Sequence, residues 1–258
     1  MTEADLPAIR HFTSAEGLAL AYRHAPGTGP LIVFLPGYMS DMAGGKATAA
    51  MADAMARGQA CLLLDYSGCG ESEGDFADGT LTRWRDEVLA LIDHAGAGTA
   101  DRPVVIVGSS MGGWLMFLVA EALSERAGPD ALKALVGIAP APDFTDWGYS
   151  ADQKAALDKG EVWFEDNIYG PEPTPYHPAF HNDSFRHRML SRGIAVTCPV
   201  RILQGQRDPD VPWELSLKIS DALTSQDVRL QIIKDGDHRL SRDSDIALLL
   251  STIAEVSA

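Results

Sequence analysis

Residues 104–113 read Val-Val-Ile-Val-Gly-Ser-Ser-Met-Gly-Gly. Four β-branched residues in a row make a short strand, and an apolar stretch of helical character follows. Ser110 stands between them, bracketed by Gly108 and Gly112. Gly-x-Ser-x-Gly at a strand-to-helix junction permits a turn too sharp for larger flanking side chains. Such a turn lifts the serine hydroxyl above the sheet edge, where it can meet a base and a substrate carbonyl. Ser110 is therefore the candidate nucleophile.

Similar apolar runs, bounded by Gly, Pro or Asp, recur at 31–35, 61–64, 134–139, 200–203 and 228–233. Their length and β-branched content fit strands buried on both faces. Residues 44–57, 80–95 and 240–256 carry apolar side chains at helical spacing. Strands alternating with helices give an α/β fold with a mostly parallel central sheet flanked by helices. The alternation breaks at 141–195, a Pro- and aromatic-rich stretch that holds Phe144, Trp147, Tyr149, Trp163, Phe164, Tyr169, Tyr176, Phe180 and Phe185. So many aromatics do not belong to a solvated linker. The expectation is a core of 1–140 and 196–258, with 141–195 inserted as a mainly helical cap over the sheet edge where open α/β sheets bind ligands.

A serine hydroxyl is a weak nucleophile unless a base takes its proton and a carboxylate orients that base. After the run that starts at Val200 comes Gly205-Gln-Arg-Asp-Pro-Asp-Val-Pro, which puts Asp208 and Asp210 in a strand-end loop. After 228–233 comes Lys234-Asp-Gly-Asp-His, which puts His238 at the next strand end. Asp208 comes early in its turn and is the expected acid. Asp210 precedes a helix start that it can cap, and is the alternative. Asp237 reads as a turn residue. The oxyanion formed on attack needs two donors. The main-chain N–H of Met111 follows the nucleophile, and that of Tyr38 lies in the loop after 31–35.

The composition narrows the alternatives. With 21 Lys and Arg against 36 Asp and Glu, the net charge of -15 opposes nucleic-acid binding. No run is long and apolar enough to suggest membrane insertion. Asp65-Tyr-Ser-Gly-Cys-Gly-Glu-Ser carries Gly-x-Gly after a strand, but its glycines do not open an apolar helix and its glutamates would repel a pyrophosphate. No His, Cys and carboxylate group has metal-ligand spacing, so neither metal nor cofactor is expected. Cys61, Cys69 and Cys198 form no Cys-x-x-Cys pair and read as reduced thiols. With no basic and apolar leader in the opening residues, the expected compartment is the cytoplasm. Oligomeric state is not legible.

Residues 176–192 form a local basic island of His177, His181, Arg186, His187, Arg188 and Arg192 against one acid, Asp183. Either it is a solvated face, or Arg186 or Arg188 reaches the pocket and grips an anionic substrate group. Together with Trp114, these arginines are the candidate substrate-binding residues.

The ordered Ser110, Asp208 and His238 make the chain resemble the α/β-hydrolase superfamily. The blocks Leu35-Pro-Gly-Tyr-Met-Ser-Asp-Met, Asp65 to Ser72, Gly108-Ser-Ser-Met-Gly-Gly-Trp-Leu-Met, Asp210-Val-Pro-Trp and Asp237-His-Arg are similar to the mitochondrial palmitoyl-protein thioesterase and acyl-glucuronide esterase group. The resemblance implies the α/β-hydrolase fold, a Ser110, Asp208 and His238 triad, and oxyanion positions at Tyr38 and Met111. The implied substrate is a small-molecule acyl ester or thioester, or an acylated protein. The same triad serves carbon–carbon hydrolysis of ring-cleavage products, and the same fold serves receptors that bind without turnover.

Overall fold

A computed structural model describes residues 6–167 and 170–258, so Tyr169 lies outside the described residues. Strands β1 (Arg10–Thr13), β2 (Ala19–Ala25) and β3 (Thr28–Leu35) lead into helix α1 (Gly45–Ala56) and strand β4 (Gln59–Leu64). Then follow α2 (Leu81–His94), β5 (Val104–Ser109), α3 (Met111–Ala127) and β6 (Leu132–Ile138). After an insertion come β9 (Val200–Gly205), α7 (Leu215–Ala222), β10 (Val228–Ile233) and α8 (Asp243–Ser257). Eight strands form one sheet in the order β1-β2-β4-β3-β5-β6-β9-β10. From β4 to β10 the pairing is parallel, whereas β2 runs antiparallel to both β1 and β4.

Period-two alternation divides each central strand between two cores. Leu31, Val33 and Leu35 of β3, with Val104 and Ile106 of β5, pack in the core that holds Trp84 and Leu91 of α2 and Leu115 and Val119 of α3. Ile32 and Phe34, with Val105 and Val107, face Met51 and Ala54 of α1 and Leu249 and Ile253 of α8. Both faces are covered, which is why these strands read as unbroken apolar runs. Because the strands are parallel, the loops after β3, β5, β9 and β10 all open at one edge, and the candidate site residues lie in those loops.

The insertion between β6 and β9 departs from the expected helical cap. It contains helices α4 (Phe144–Trp147), α5 (Ala151–Asp158) and α6 (Pro178–Ser184), but also an antiparallel ribbon of β7 (Trp163–Glu165) and β8 (Thr174–Tyr176). The ribbon fits residues that are aromatic or β-branched and carry proline at an edge. Polar ties hold the insertion down. The Asp183 carboxylate accepts the Thr82 N–H and hydroxyl at the start of α2, both at 2.8 Å, and Asp143 accepts the N–H groups of Met189 and Leu190, each at 2.9 Å.

Candidate active site

Ser110 sits at φ 55° and ψ -120°, a strained conformation for a residue with a side chain. Its neighbours hold it there. Its N–H donates to the Ile138 carbonyl at 2.9 Å, and its carbonyl accepts the N–H groups of Gly113 at 2.8 Å and Ala141 at 3.1 Å. The flanking glycines are needed for close approach. A Cβ on Gly108 would lie 2.4 Å from the Gly112 carbonyl oxygen, and one on Gly112 would lie 2.2 Å from that of Leu35.

The elbow brings the Ser110 Oγ to 3.1 Å from Nε2 of His238, while Nδ1 of that ring lies 2.9 Å from Oδ2 of Asp208. A carboxylate only accepts, so Nδ1 carries the proton and Nε2 presents its lone pair to the serine hydroxyl. The Asp208 side chain is fully buried. Burial without partners would be costly, but Oδ1 accepts the N–H groups of Asp210 at 2.9 Å and Val211 at 2.8 Å, and Oδ2 also accepts Nε2 of Gln204 at 3.0 Å. Asp210 supports the acid through its main chain. It is not at a helix cap, since α7 starts at Leu215 with Glu214 at its N-cap. Gln204 was not singled out from sequence. The available signal was an amide inside an apolar strand, which needs buried partners and finds them in Asp208 and the Ser216 hydroxyl.

Tyr38 and Met111 both line the cavity beside Ser110. Among the described residues neither main-chain N–H meets an acceptor, which leaves both available to a substrate oxygen. The Tyr38 hydroxyl donates to the Pro175 carbonyl at 3.0 Å and its ring stacks on Tyr176 at 5.4 Å, tying this loop to the β7–β8 ribbon. Burial pushes the phenol of Tyr38 well above its ordinary range, so it stays protonated.

The cavity, of about 830 Å³, is walled on the insertion side by Phe144, Trp147, Tyr149, Thr174 and Tyr176. Lys46, Arg239 and Ser241 also line it. The structure does not bring the other sequence candidates there. Arg186 pairs with Asp183 at 3.5 Å and Arg188 with Asp146 at 3.0 Å, while Arg192 reaches Glu121 at 2.6 Å. The basic island is thus met by Asp183 from within it and by Asp146 and Glu121 from elsewhere in the chain. Trp114 is fully buried and donates its indole N–H to the His187 carbonyl at 3.0 Å, so it braces the insertion from below and does not line the cavity.

The carboxylates of Asp208 and Asp210 and the His238 ring lie close enough together to suggest a cation site. Nδ1 of His238 and both Asp208 oxygens are already engaged with each other and with N–H donors, so this cluster is the hydrogen-bond relay itself. The three cysteines are buried, and burial pushes each thiol up to about 12, which makes them poor nucleophiles at neutral pH.

This arrangement matches known proteins across most of the chain. The alpha/beta hydrolase family profile covers residues 32–249. The chain is 40% identical over 244 residues to the mitochondrial palmitoyl-protein thioesterase ABHD10 of Mus musculus, which spans 92% of this chain and 78% of the relative. Among solved structures, a putative hydrolase from Agrobacterium vitis superimposes with a TM-score of 0.88 at 34% identity, covering 97% of this chain and 100% of that one. Mouse alpha/beta hydrolase domain-containing protein 10 gives a TM-score of 0.84 at 36% identity, covering 96% and 97%. These relatives overturn the expected cytoplasmic location, since the mouse, human and orangutan proteins are named as mitochondrial. Reduced, buried cysteines report on redox surroundings and do not single out the cytoplasm. A strained Ser110 turn after β5, its hydrogen-bonded link to His238 and Asp208 in the loops after β10 and β9, and likeness over nearly the whole length converge: the chain belongs to the alpha/beta hydrolase family.

Proposed function

We propose that this protein hydrolyses carboxylic ester or thioester bonds through an acyl-enzyme on Ser110. The observation that carries the reading is the continuous relay from the Ser110 Oγ through His238 to the buried Asp208, in a cavity also lined by Tyr38 and Met111, whose main-chain N–H groups meet no acceptor among the described residues. The thioesterase names of the relatives support the acyl chemistry. Residues 141–195 act in this reading as a cap on a core of 1–140 and 196–258, supplying the aromatic wall.

In the first half-reaction His238 Nε2 takes the hydroxyl proton as Oγ bonds to the acyl carbon. The carbonyl oxygen becomes an oxyanion held by the N–H groups of Tyr38 and Met111. Asp208 stabilises the imidazolium without taking its proton. Collapse breaks the C–O or C–S bond, and the imidazolium protonates the departing alcohol or thiol. In the second half-reaction water gives its proton to Nε2 and attacks the acyl carbon, then the ester to Ser110 breaks and Oγ regains its proton. The test is intact-mass analysis after a fluorophosphonate, with turnover measured alongside. A single adduct on Ser110 is expected, with turnover lost in Ser110→Ala and largely kept in Ser109→Ala. Turnover that survives Ser110→Ala, or an adduct elsewhere, refutes the assignment.

A further inference from the structure

The cavity has a cationic end whose charge the hydrolytic relay does not use. Lys46, in the first turn of α1, lines it together with Arg239, the residue after His238. Lys46 Nζ donates to the Arg239 carbonyl oxygen at 2.5 Å, which fixes the ammonium beside the histidine loop and leaves two of its three donors for another acceptor. Among the described residues no carboxylate comes within ion-pairing distance of Lys46. The acids acting on it most strongly are Asp237 and Asp245. Both are committed elsewhere. Asp237 accepts the Leu240 N–H at 2.9 Å, and Asp245 is clamped by the Arg242 guanidinium at 2.8 and 2.9 Å.

Other acids line the cavity, namely Asp41, Glu165, Asp166 and Asp210. None of them is among the leading influences on Lys46, whereas the Arg239 guanidinium is. Asp41 is turned back onto the Ala43 N–H at 2.9 Å, and Glu165 is hydrogen-bonded to Tyr176. Burial, together with the Arg239 charge, lowers the Lys46 ammonium to about 8, so it remains largely protonated at neutral pH. A half-buried cation that no carboxylate of the described residues contacts, with the Arg239 charge nearby, is stabilised by an anion that enters with the substrate. Gly44 and Gly45 precede it and line the same cavity, and a Cβ on Gly45 would meet nothing within 4 Å, so this end has room for such a group.

We propose that Lys46, with Arg239 beside it, forms an anion subsite that selects acyl substrates carrying a carboxylate or phosphate. The proposal rests on the hydrolase reading above and adds the substrate class. The anion could sit on the acyl half or on the leaving group, and the substrates separate the two. One is the butyryl thioester of a neutral thiol. The second is the hemisuccinyl thioester of the same thiol, and the third is the butyryl thioester of 3-mercaptopropionate. Wild type should favour one anionic substrate over the neutral one in kcat/KM. Lys46→Gln should reduce that preference about tenfold or more, mainly through KM, and Lys46→Arg should retain most of it.

A merely structural role for Lys46, in holding the His238 loop, would lower all three substrates together and leave the preference unchanged. That result overturns the proposal, as does a wild type with no preference. If wild type cleaves none of the three and a fluorophosphonate leaves Ser110 unlabelled, the hydrolase reading has failed separately. Equilibrium binding of free succinate and of 3-mercaptopropionate, followed by tryptophan fluorescence, then decides the subsite. Weaker binding of either anion to Lys46→Gln than to wild type upholds it, and equal binding of both by the two proteins rejects it.

Discussion

The choice between two aspartates only two positions apart shows how much a few ångströms decide. Asp208 and Asp210 share a loop, yet only Asp208 meets the histidine ring, and Asp210 contributes its main-chain N–H. Asp208→Asn should therefore lower kcat by about 10³ to 10⁴, because the amide cannot hold the productive tautomer. Asp210→Asn, which keeps that N–H, should cost less than about tenfold, a barrier change under ~1.4 kcal/mol. Steady-state kinetics on one ester checks both, and a larger loss at Asp210 reverses the roles. The glycines of the elbow make a separate prediction. In Gly112→Ala the new methyl would meet the carbonyl oxygens of Leu35 and Pro36 at 2.2 and 2.4 Å, and main chain cannot swing aside as a side chain would. The expected loss is about 1–3 kcal/mol or more in denaturant unfolding, whereas a stability equal to wild type would show that the β3 and α3 backbones can separate freely. That Ser110, Asp208 and His238 meet was legible because each follows a strand, in an order that suits a serine hydrolase. Lys46 and Arg239 were not. Nothing in the sequence tells that the start of α1 and the residue after His238 reach one cavity, or that Arg188 meets the distant Asp146 while Arg186 stays with its neighbour Asp183.

Elements were readable where burial on both faces stamps an apolar run, and unreadable where it does not. Each of the six expected runs coincides with a strand of the sheet. β1, with Arg10, His11 and Thr13 exposed around a half-buried Phe12, and β2, with Arg23 and His24 among alanines, left no such mark because they form the antiparallel margin of the sheet. The β7–β8 ribbon was likewise hidden in the aromatic-rich stretch expected to be a mainly helical cap. How the insertion is fastened was also out of reach, since it depends on Asp183 meeting Thr82 across 101 positions. That contact makes a pH prediction. Burial pushes the Asp183 carboxyl up, but hydrogen bonds from His187 and from the Thr82 main chain and hydroxyl outweigh it and hold the group at about 2, against an ordinary 3.8. A group depressed in the folded state adds stability above its unfolded pKa, and that contribution fades as pH falls from there through the folded value. Wild type should therefore exceed Asp183→Asn in urea midpoint near pH 5, and the gap should narrow between about pH 4 and pH 2. A gap that stays constant over that range would mean that Asp183 acts by shape and not by charge.

At the scale of the whole molecule the site depends on the complete sheet, because its hydroxyl and its imidazole are 128 positions apart and meet only through the strand order β5-β6-β9-β10. The same molecule carries 36 acids against 21 bases. Local pairs such as Arg126 with Asp93 and Arg57 with Asp53 are partly exposed, and pairs of that kind contribute about 0–1 kcal/mol each. The excess charge of -15 has no such local partner and repels itself throughout the folded shell. Raising monovalent salt from roughly 20 to 200 mM shortens the screening length from about 20 Å to about 7 Å. That change screens the long-range repulsion almost entirely but leaves contacts at hydrogen-bond distance largely intact. The two effects oppose each other, and the imbalance of acids over bases decides the sign. The thermal midpoint, followed by calorimetry in KCl at constant pH, should rise over this interval and level off above it. A falling midpoint would show that the paired charges contribute more to the fold than the unpaired ones take away.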